Sequence, residues 1–456
     1  MTQLLKKYER YLADFRAFEA SRPANEPRWL QEIRQRALSR FEEVGFPTAR
    51  RANEEWKYTN VNPIANGTFE YPLYASKAVV ARHASPSQGS NIRQVAPWND
   101  SWINLVFVDG HYSHTLSTGL DQVDGARVAN LADAIRTDQG LVQPHLAHYA
   151  TIEEDGFTAL NTAFLRDGAF IQVPDNSSLP SALHLVYVST DRGQPTVSYP
   201  RTLVVVGRNA GVTIVESYVG LSGAPYFTDA VAEIVVGDGA NVEHYRYLME
   251  SPEAFHVGVT RVHQGQDSIF SSTSFAMGAD VARNDLHVFL DAPGSSCFLR
   301  GLYLTSGTQH IDNHISIDHV KAHTTSRQYY KGILAGRSRA VYSGRVLVHK
   351  DAQKTDAHQS DKNLLLSEGA EVDTKPSLEI YADDVKCGHG ATAGQVAQDA
   401  LFYLRSRGLD LQTATSLLIH GFASEILDAI QLEPYRAYLD ELFSKSLPSF
   451  QLGGTS

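Results

Sequence analysis

Cysteine is nearly absent: Cys297 and Cys387, ninety positions apart, are the only two among 456 residues. Two such residues make no disulfide framework and suit a reducing compartment. No C-x-x-C pair occurs, which removes thioredoxin-like exchange and the usual spacings of zinc and iron-sulfur ligands. Positive charge is also in deficit. With 40 Lys and Arg against 51 Asp and Glu, the net charge of −11 argues against an extended nucleic-acid surface. No apolar run approaches the roughly 20 residues of a membrane span. The segment from Met1 to Arg10 lacks the apolar centre of a signal peptide, so the chain is expected to be cytoplasmic. Nucleotide motifs are missing as well. There is no G-x-x-x-x-G-K-[ST] loop, and Gly237-x-Gly239 lacks the further glycine and helix of a dinucleotide site.

What is present divides into three parts, with boundaries at residues 1–99, 100–390 and 391–456. In the first, Leu4, Tyr8, Tyr11, Leu12 and Phe15 share one helical face. Trp29, Leu30, Ile33, Ala37, Leu38 and Phe41 share a second, with Pro23 and Pro27 between the two and Gly45 and Pro47 after them. The remainder up to Asn99 reads as irregular and turn-rich, and it contains Trp56-Lys57-Tyr58-Thr59.

From about residue 100 the period becomes that of short strands: Leu105–Val108, Leu185–Val188, Leu203–Val206 and Ile234–Val236. Corners follow at Gly237–Ala240, Gly278–Asp280, Asp291–Gly294, Ser306-Gly307, Ala335-Gly336, Asp351-Ala352 and Glu368–Ala370. The later ones fall roughly 13 to 30 residues apart, mostly near 15, which leaves no room for crossover helices of ten residues. A β-sandwich has similar spacing. The run of more than 200 residues without a break favours stacked coils, each burying its inner face on the next. After Gly394 helical stripes return: Val396, Ala400, Leu401 and Leu404, closed by Gly408; then, from an Asp410 N-cap, Ala414, Leu417, Leu418, Phe422, Ile426 and Ile430; then Tyr435, Leu439, Leu442 and Phe443.

Chemistry-bearing residues concentrate late in the strand region. His310, His314, His319, His323, His349, His358 and His389 all fall there. Alternation from Ile311 to His319 puts His319 on the isoleucine side and His314 on the other, so these two do not share a face and read as solvated or core-satisfied. Cys387 and His389, two apart, would point the same way on a strand and could converge on a metal or sulfur species. The imidazole and Lys386 would then lower the thiol pKa. The alternative is a small buried hydrophobe beside turn glycines. Cys297, between Ser296 and Phe298, reads as structural. Asp373, Glu379, Asp383 and Asp384 would supply paired carboxylates for a polysaccharide-acting β-helix enzyme, or simply decorate solvated corners.

The stretch Lys354–Ser367, continuing through Ala370–Ile380 into Tyr381-Ala382-Asp383-Asp384-Val385-Lys386-Cys387 and Ala400–Gly408, resembles the SufB/SufD family of iron-sulfur cluster assembly proteins, and within it the SufD branch. Gly388-His389-Gly390-Ala391 stands where the SufB branch carries Glu-His-Glu-Ala, and Gly388 itself departs from the serine usual in the SufD branch. The resemblance implies a mainly β fold, a right-handed parallel β-helix between N- and C-terminal helical regions. It implies a scaffold without turnover of its own that pairs with a homologous SufB subunit through the β-helix ends. Each such subunit binds a copy of the ABC-type ATPase SufC through its C-terminal helices, and the isolated chain could pair with itself. It places Cys387 and His389 at that junction as ligands of a transient iron-sulfur cluster, with no cofactor held by the lone chain. Reduced flavin is implied for the complex, but the chain shows no flavin motif and no residues are assigned to it.

Overall fold

The computed structural model describes residues 2–23, 26–48, 53–73, 86–153, 155–221 and 223–450. Its centre is a parallel β-solenoid flattened into two sheets, with successive strands alternating between them. One sheet runs from Ile103–Val108 through Leu183–Ser189, Gly211–Gly220, Asn241–Glu250, Ile269–Gly278, Ser296–Thr305, Thr325–Leu334 and Asp356–Leu365 to Lys386–Gly394. The other runs from Gly168–Val173 through Arg201–Val206, Tyr226–Val236, Phe255–Gln264, Val281–Leu290, His310–His319 and Arg339–Val348 to Glu371–Ile380. Register partners in adjacent coils lie 26 to 32 residues apart from Asn241 onward.

The corners expected from the sequence all fall between strands. Several carry the left-handed backbone such turns require: Gly239, Gly278, Gly294, Gly307 and Gly336 have φ between +60° and +92°. Inside, alternate residues of both sheets stack into one apolar core, from Ile103 and Leu105 at one end to Val346, Ala357 and Ala370 at the other. Cys297 is fully buried in it, and burial pushes its thiol pKa far up, as a structural cysteine requires. Ile311, Ile315, Ile317 and His319 do face inward together. His319 is held by the Thr324 and Ser326 hydroxyls at 2.7 and 2.8 Å. His314 lies on the other face, beside Asp285 and Arg283.

The two ends differ. At the beginning, short antiparallel strands, His111–Tyr112 and Arg127–Asn130, close the two sheets. Three helices of fewer than ten residues, Leu131–Thr137, Gln139–Val142 and Gly156–Ala163, interrupt a span read from sequence as strands alone. At the far end, Lys386–Gly394 and Glu371–Ile380 are the last strands of their sheets, and almost every residue in both is exposed or half-buried.

Helices cover the outer faces. Thr2–Ala20 and Arg28–Val44 pack Tyr11, Phe15, Phe18, Ala37 and Phe41 over one sheet, on Phe227 and Val257. Leu4 and Tyr8 of the expected first stripe have side chains outside the described residues. A ten-residue helix, Pro86–Val95, falls where the sequence read as irregular. The Trp56-Lys57-Tyr58-Thr59 element straps the same face. Trp56 lies under the Arg283 guanidinium at 3.9 Å, and Thr59 Oγ1 donates to Asp312 Oδ2 at 2.6 Å.

Of the C-terminal helices, Leu411–Leu427 and Glu433–Ser446 lie on the opposite sheet, and Gln398–Ser406 packs against Leu411–Leu427. Asp410 caps the second, accepting from the Thr413 amide, as expected. Its buried stripe is rotated from the expected one: Thr415, Ile419 and Ala423 turn inward with Ala414 and Ile426, while Leu417 is half exposed. Among the described residues no helix is long and apolar enough to cross a membrane.

Candidate functional site at the open end of the solenoid

The corner before the last strand is fixed by backbone pairing. The Lys354 amide donates to Asp384 O at 2.7 Å, and Gln353 Oε1 accepts from the Asp384 amide at 2.9 Å. Lys386–Gly394 then lies in parallel register on Asp356–Leu365, with Cys387 over Ala357 and His389 over Gln359. Ala357 and Gln359 are buried inward-facing residues, so Cys387 and His389 share the inward face of the terminal coil. Cys387 is half-buried against the end of the core. His389 is exposed, and among the described residues its ring has no hydrogen-bond or ion-pair partner.

The thiol is not activated as the sequence suggested. Burial raises the Cys387 pKa, a backbone hydrogen bond at Ala357 lowers it, and the Asp356 carboxylate raises it further. Neither Lys386 nor His389 is among the groups that act on the sulfur. Cys387 is therefore held as the thiol. Gly388 sits over His358, and a Cβ added there would meet the His358 ring at 3.4 Å, an ordinary contact. Neither space nor backbone demands glycine at this position.

The remaining histidines do not join the pair. His310 bonds to Thr59 Oγ1 at 2.9 Å, His349 faces Asp318 and His358 pairs with Asp356 at 3.1 Å. His323 occupies a left-handed corner. Among the described residues no group of three or more His, Cys, Asp or Glu is placed to hold a metal. The carboxylates weighed for glycoside chemistry are dispersed into ion pairs: Asp373 with Arg339, Glu379 with Arg345 at 2.9 Å, Asp384 with Lys354. Asp383 is exposed on the corner.

Two features escaped the sequence reading. One is the run Gln359-x-Asp361-x-Asn363, three buried polar side chains on the inward face just below Cys387 and His389. Its alternation of polar residues along one face of a strand was the available signal. The other is the joint between the C-terminal helices and the solenoid. Lys331, 2% exposed, reaches out of its sheet to Phe422 O at 2.6 Å and Glu425 Oε2 at 2.7 Å. Glu425 also accepts from Tyr329 and lies 4.0 Å from Lys362, on the strand next to the last. On the outside of this helical unit Phe402, Tyr403, Leu411 and Leu417 are exposed by 46 to 75%.

The family models agree with this architecture. The SufBD core domain of the SUF system for FeS cluster assembly matches residues 187–422, and the SufBD protein N-terminal region matches residues 5–185. The chain belongs to the SufBD family of iron-sulfur cluster assembly proteins. Among curated members it is 34% identical to the SufBD family protein slr0076 of Synechocystis sp., with 86% of each chain covered. It is 31% identical to the iron-sulfur cluster assembly protein SufD of Escherichia coli, over 94% of this chain and 95% of that one. Protein ABCI7, chloroplastic, of Arabidopsis thaliana is 32% identical over 71% and 70%. The SufBD scaffold thus accounts for a solenoid core and its helical flanks in one chain.

Proposed function

We propose that this SufBD-family chain is a scaffold subunit of the SufD type, without turnover of its own. In this reading its open solenoid end stacks on the corresponding end of a homologous SufB-like subunit, and a nascent iron-sulfur cluster forms at the junction. The observation that carries the reading is the terminal coil. Two unpaired strand edges, which a second solenoid would continue, frame an inward-facing thiol and an exposed imidazole. Two ligands are too few for a cluster, so the other subunit supplies the rest. His389 offers a nitrogen ligand to incoming iron, and Cys387 a supporting thiolate once iron takes the place of its proton.

The apolar patch Phe402, Tyr403, Leu411 and Leu417 is the proposed dock for the SufC-like ATPase. Movement of that ATPase would reach the junction through the Glu425 joint, one strand away from Lys386–Gly394. The test is co-purification of the tagged chain from its native cells, followed by reconstitution of the recovered complex. A homologous solenoid subunit and an ABC-type ATPase are expected in the eluate. His389→Ala should leave that complex assembled and reduce cluster formation sharply, with Cys387→Ser costing less. Wild-type cluster formation by the His389→Ala complex would remove the histidine from the site. A stoichiometric coloured cluster on the lone chain would overturn the shared junction.

A further inference from the structure

Directly beneath Cys387 and His389 the solenoid interior turns polar. Strand Asp356–Leu365 presents Ala357, Gln359, Asp361 and Asn363 inward, all at least nine-tenths buried. By register Asp361 has only the methyl group of Ala391 above it before the open end.

The hydrogen bonding of this chamber is incomplete. Asn363 Nδ2 donates to Asp361 Oδ2 at 2.7 Å, and Tyr303 OH donates to Asn363 Oδ1 at 2.6 Å. Asp361 Oδ1 is left without a partner, in a residue only 1% exposed. Gln359 Nε2 donates across the interior to Ser377 O at 3.4 Å, while its Oε1 is unpartnered. From the facing sheet Thr374 stands close enough to draw down the Asp361 pKa, yet its Oγ1 makes no well-directed hydrogen bond. Three buried oxygen atoms from both sheets are therefore left without a well-formed hydrogen bond, Asn363 and the Thr374 hydroxyl being the donors near the carboxylate, and no Lys or Arg contributes to the Asp361 environment. Burial pushes this carboxyl up to about 6, so near pH 7 it is largely a buried anion without a counter-charge.

We infer that the interior of the last coil holds one hard divalent cation, with Asp361, Gln359 and Thr374 as its protein oxygen donors. Carboxylate, amide oxygen and hydroxyl suit manganous, magnesium or ferrous ions, completed by water, and do not select the softer metals that thiolates bind. That ferrous iron is the physiological ion rests on the assembly reading above, since that process consumes it at the rim of this chamber. That a cation binds here does not depend on it.

The test uses the full isolated chain and Mn2+ as probe, following the loss of the free-ion EPR signal on titration. One equivalent should bind. Asp361→Asn and Thr374→Val, both close in shape to the residues they replace, should each weaken binding by about tenfold or more with an unchanged far-UV spectrum. Asp291→Asn, on an exposed corner of an earlier coil, should leave the affinity as it was, and anaerobic Fe2+ should displace the Mn2+. No bound Mn2+, parental affinity in either chamber variant, or loss of binding in Asp291→Asn would each overturn the assignment. Because no cluster need form in this experiment, its outcome is separate from that of the assembly test.

Discussion

Removing the Glu425 carboxylate probes whether the C-terminal helices are tied to the solenoid by one charged joint. In Glu425→Ala, Lys331 keeps its 2.6 Å bond to Phe422 O and its stacking on the Phe422 ring, but loses the carboxylate 2.7 Å away, its one ion-pair partner among the described residues. Breaking a wholly buried pair costs about 3–5 kcal/mol, and an exposed pair contributes about 0–1 kcal/mol. Here the lysine side chain is 3% exposed and the glutamate 55%, so water can enter on the carboxylate side but not around the ammonium. An intermediate cost of about 2 kcal/mol follows, or roughly a thirtyfold change in a local equilibrium. Hydrogen exchange read by mass spectrometry should show amides of Leu411–Leu427 opening roughly thirtyfold faster. Strands in the middle of the solenoid, such as Asn241–Glu250, should be unchanged. Protection of the helix within threefold of the parent, or loss spread evenly through the chain, would refute the joint.

Phe402→Asp should abolish recovery of the ATPase by size-exclusion chromatography without altering the chain's own unfolding, because Phe402 is 75% exposed and supports little internal packing. This is cleaner than deleting residues 394–456, whose Ile419, Ile426, Tyr435 and Phe443 share a core with the sheet and would leave it bare. Thr59→Val should cost about 1–3 kcal/mol in urea unfolding, since it deprives the buried Asp312 of a donor; a change under about 0.5 kcal/mol would separate the strap from stability. The pH dependence follows from His184 and His319, whose pKa values burial lowers to about 3 and about 4. A depressed histidine binds its proton more readily when unfolded, so its contribution is complete above about pH 6.5 and is lost as pH falls toward the folded value. Each should remove about 1.4 kcal/mol of stability per pH unit in that window, and His184→Gln should flatten the slope measured from pH 6.5 to 5. An unchanged slope would place the pH sensitivity elsewhere.

The solenoid was legible because its corners carry Gly, Asp and small residues at positions where the chain must turn, as at Gly237–Ala240 and Gly278–Asp280. Inward and outward assignments were legible wherever alternation was uninterrupted, as from Ile311 to His319. What was hidden depends on packing between distant segments. The helix Pro86–Val95 has a weak apolar stripe and is held by Ile92 docking on the solenoid. The rotated face of Leu411–Leu427 reflects a sequence apolar on more than one side, where tertiary contact decides which side is covered. The placement of Cys387 and His389 on one face followed from their spacing, whereas the raised thiol pKa did not, because it is set by the coil beneath and by Asp356. Asp361 was passed over because a lone carboxylate on a strand is ordinarily solvated, and only the register shows what surrounds it.

The difference between the two solenoid ends sets a valence. A stack of coils with bare edges at both ends would be a monomer unit for a fibre, each copy recruiting the next without limit. This chain begins its coils with short antiparallel strands and helices, whereas its last coil ends in two parallel strands with bare edges. On the scaffold reading proposed above, two such ends that met would cover each other's edges, and growth would stop at a pair. Bare backbone that would otherwise be a hazard would then act as a counting device, with one such junction in each assembly.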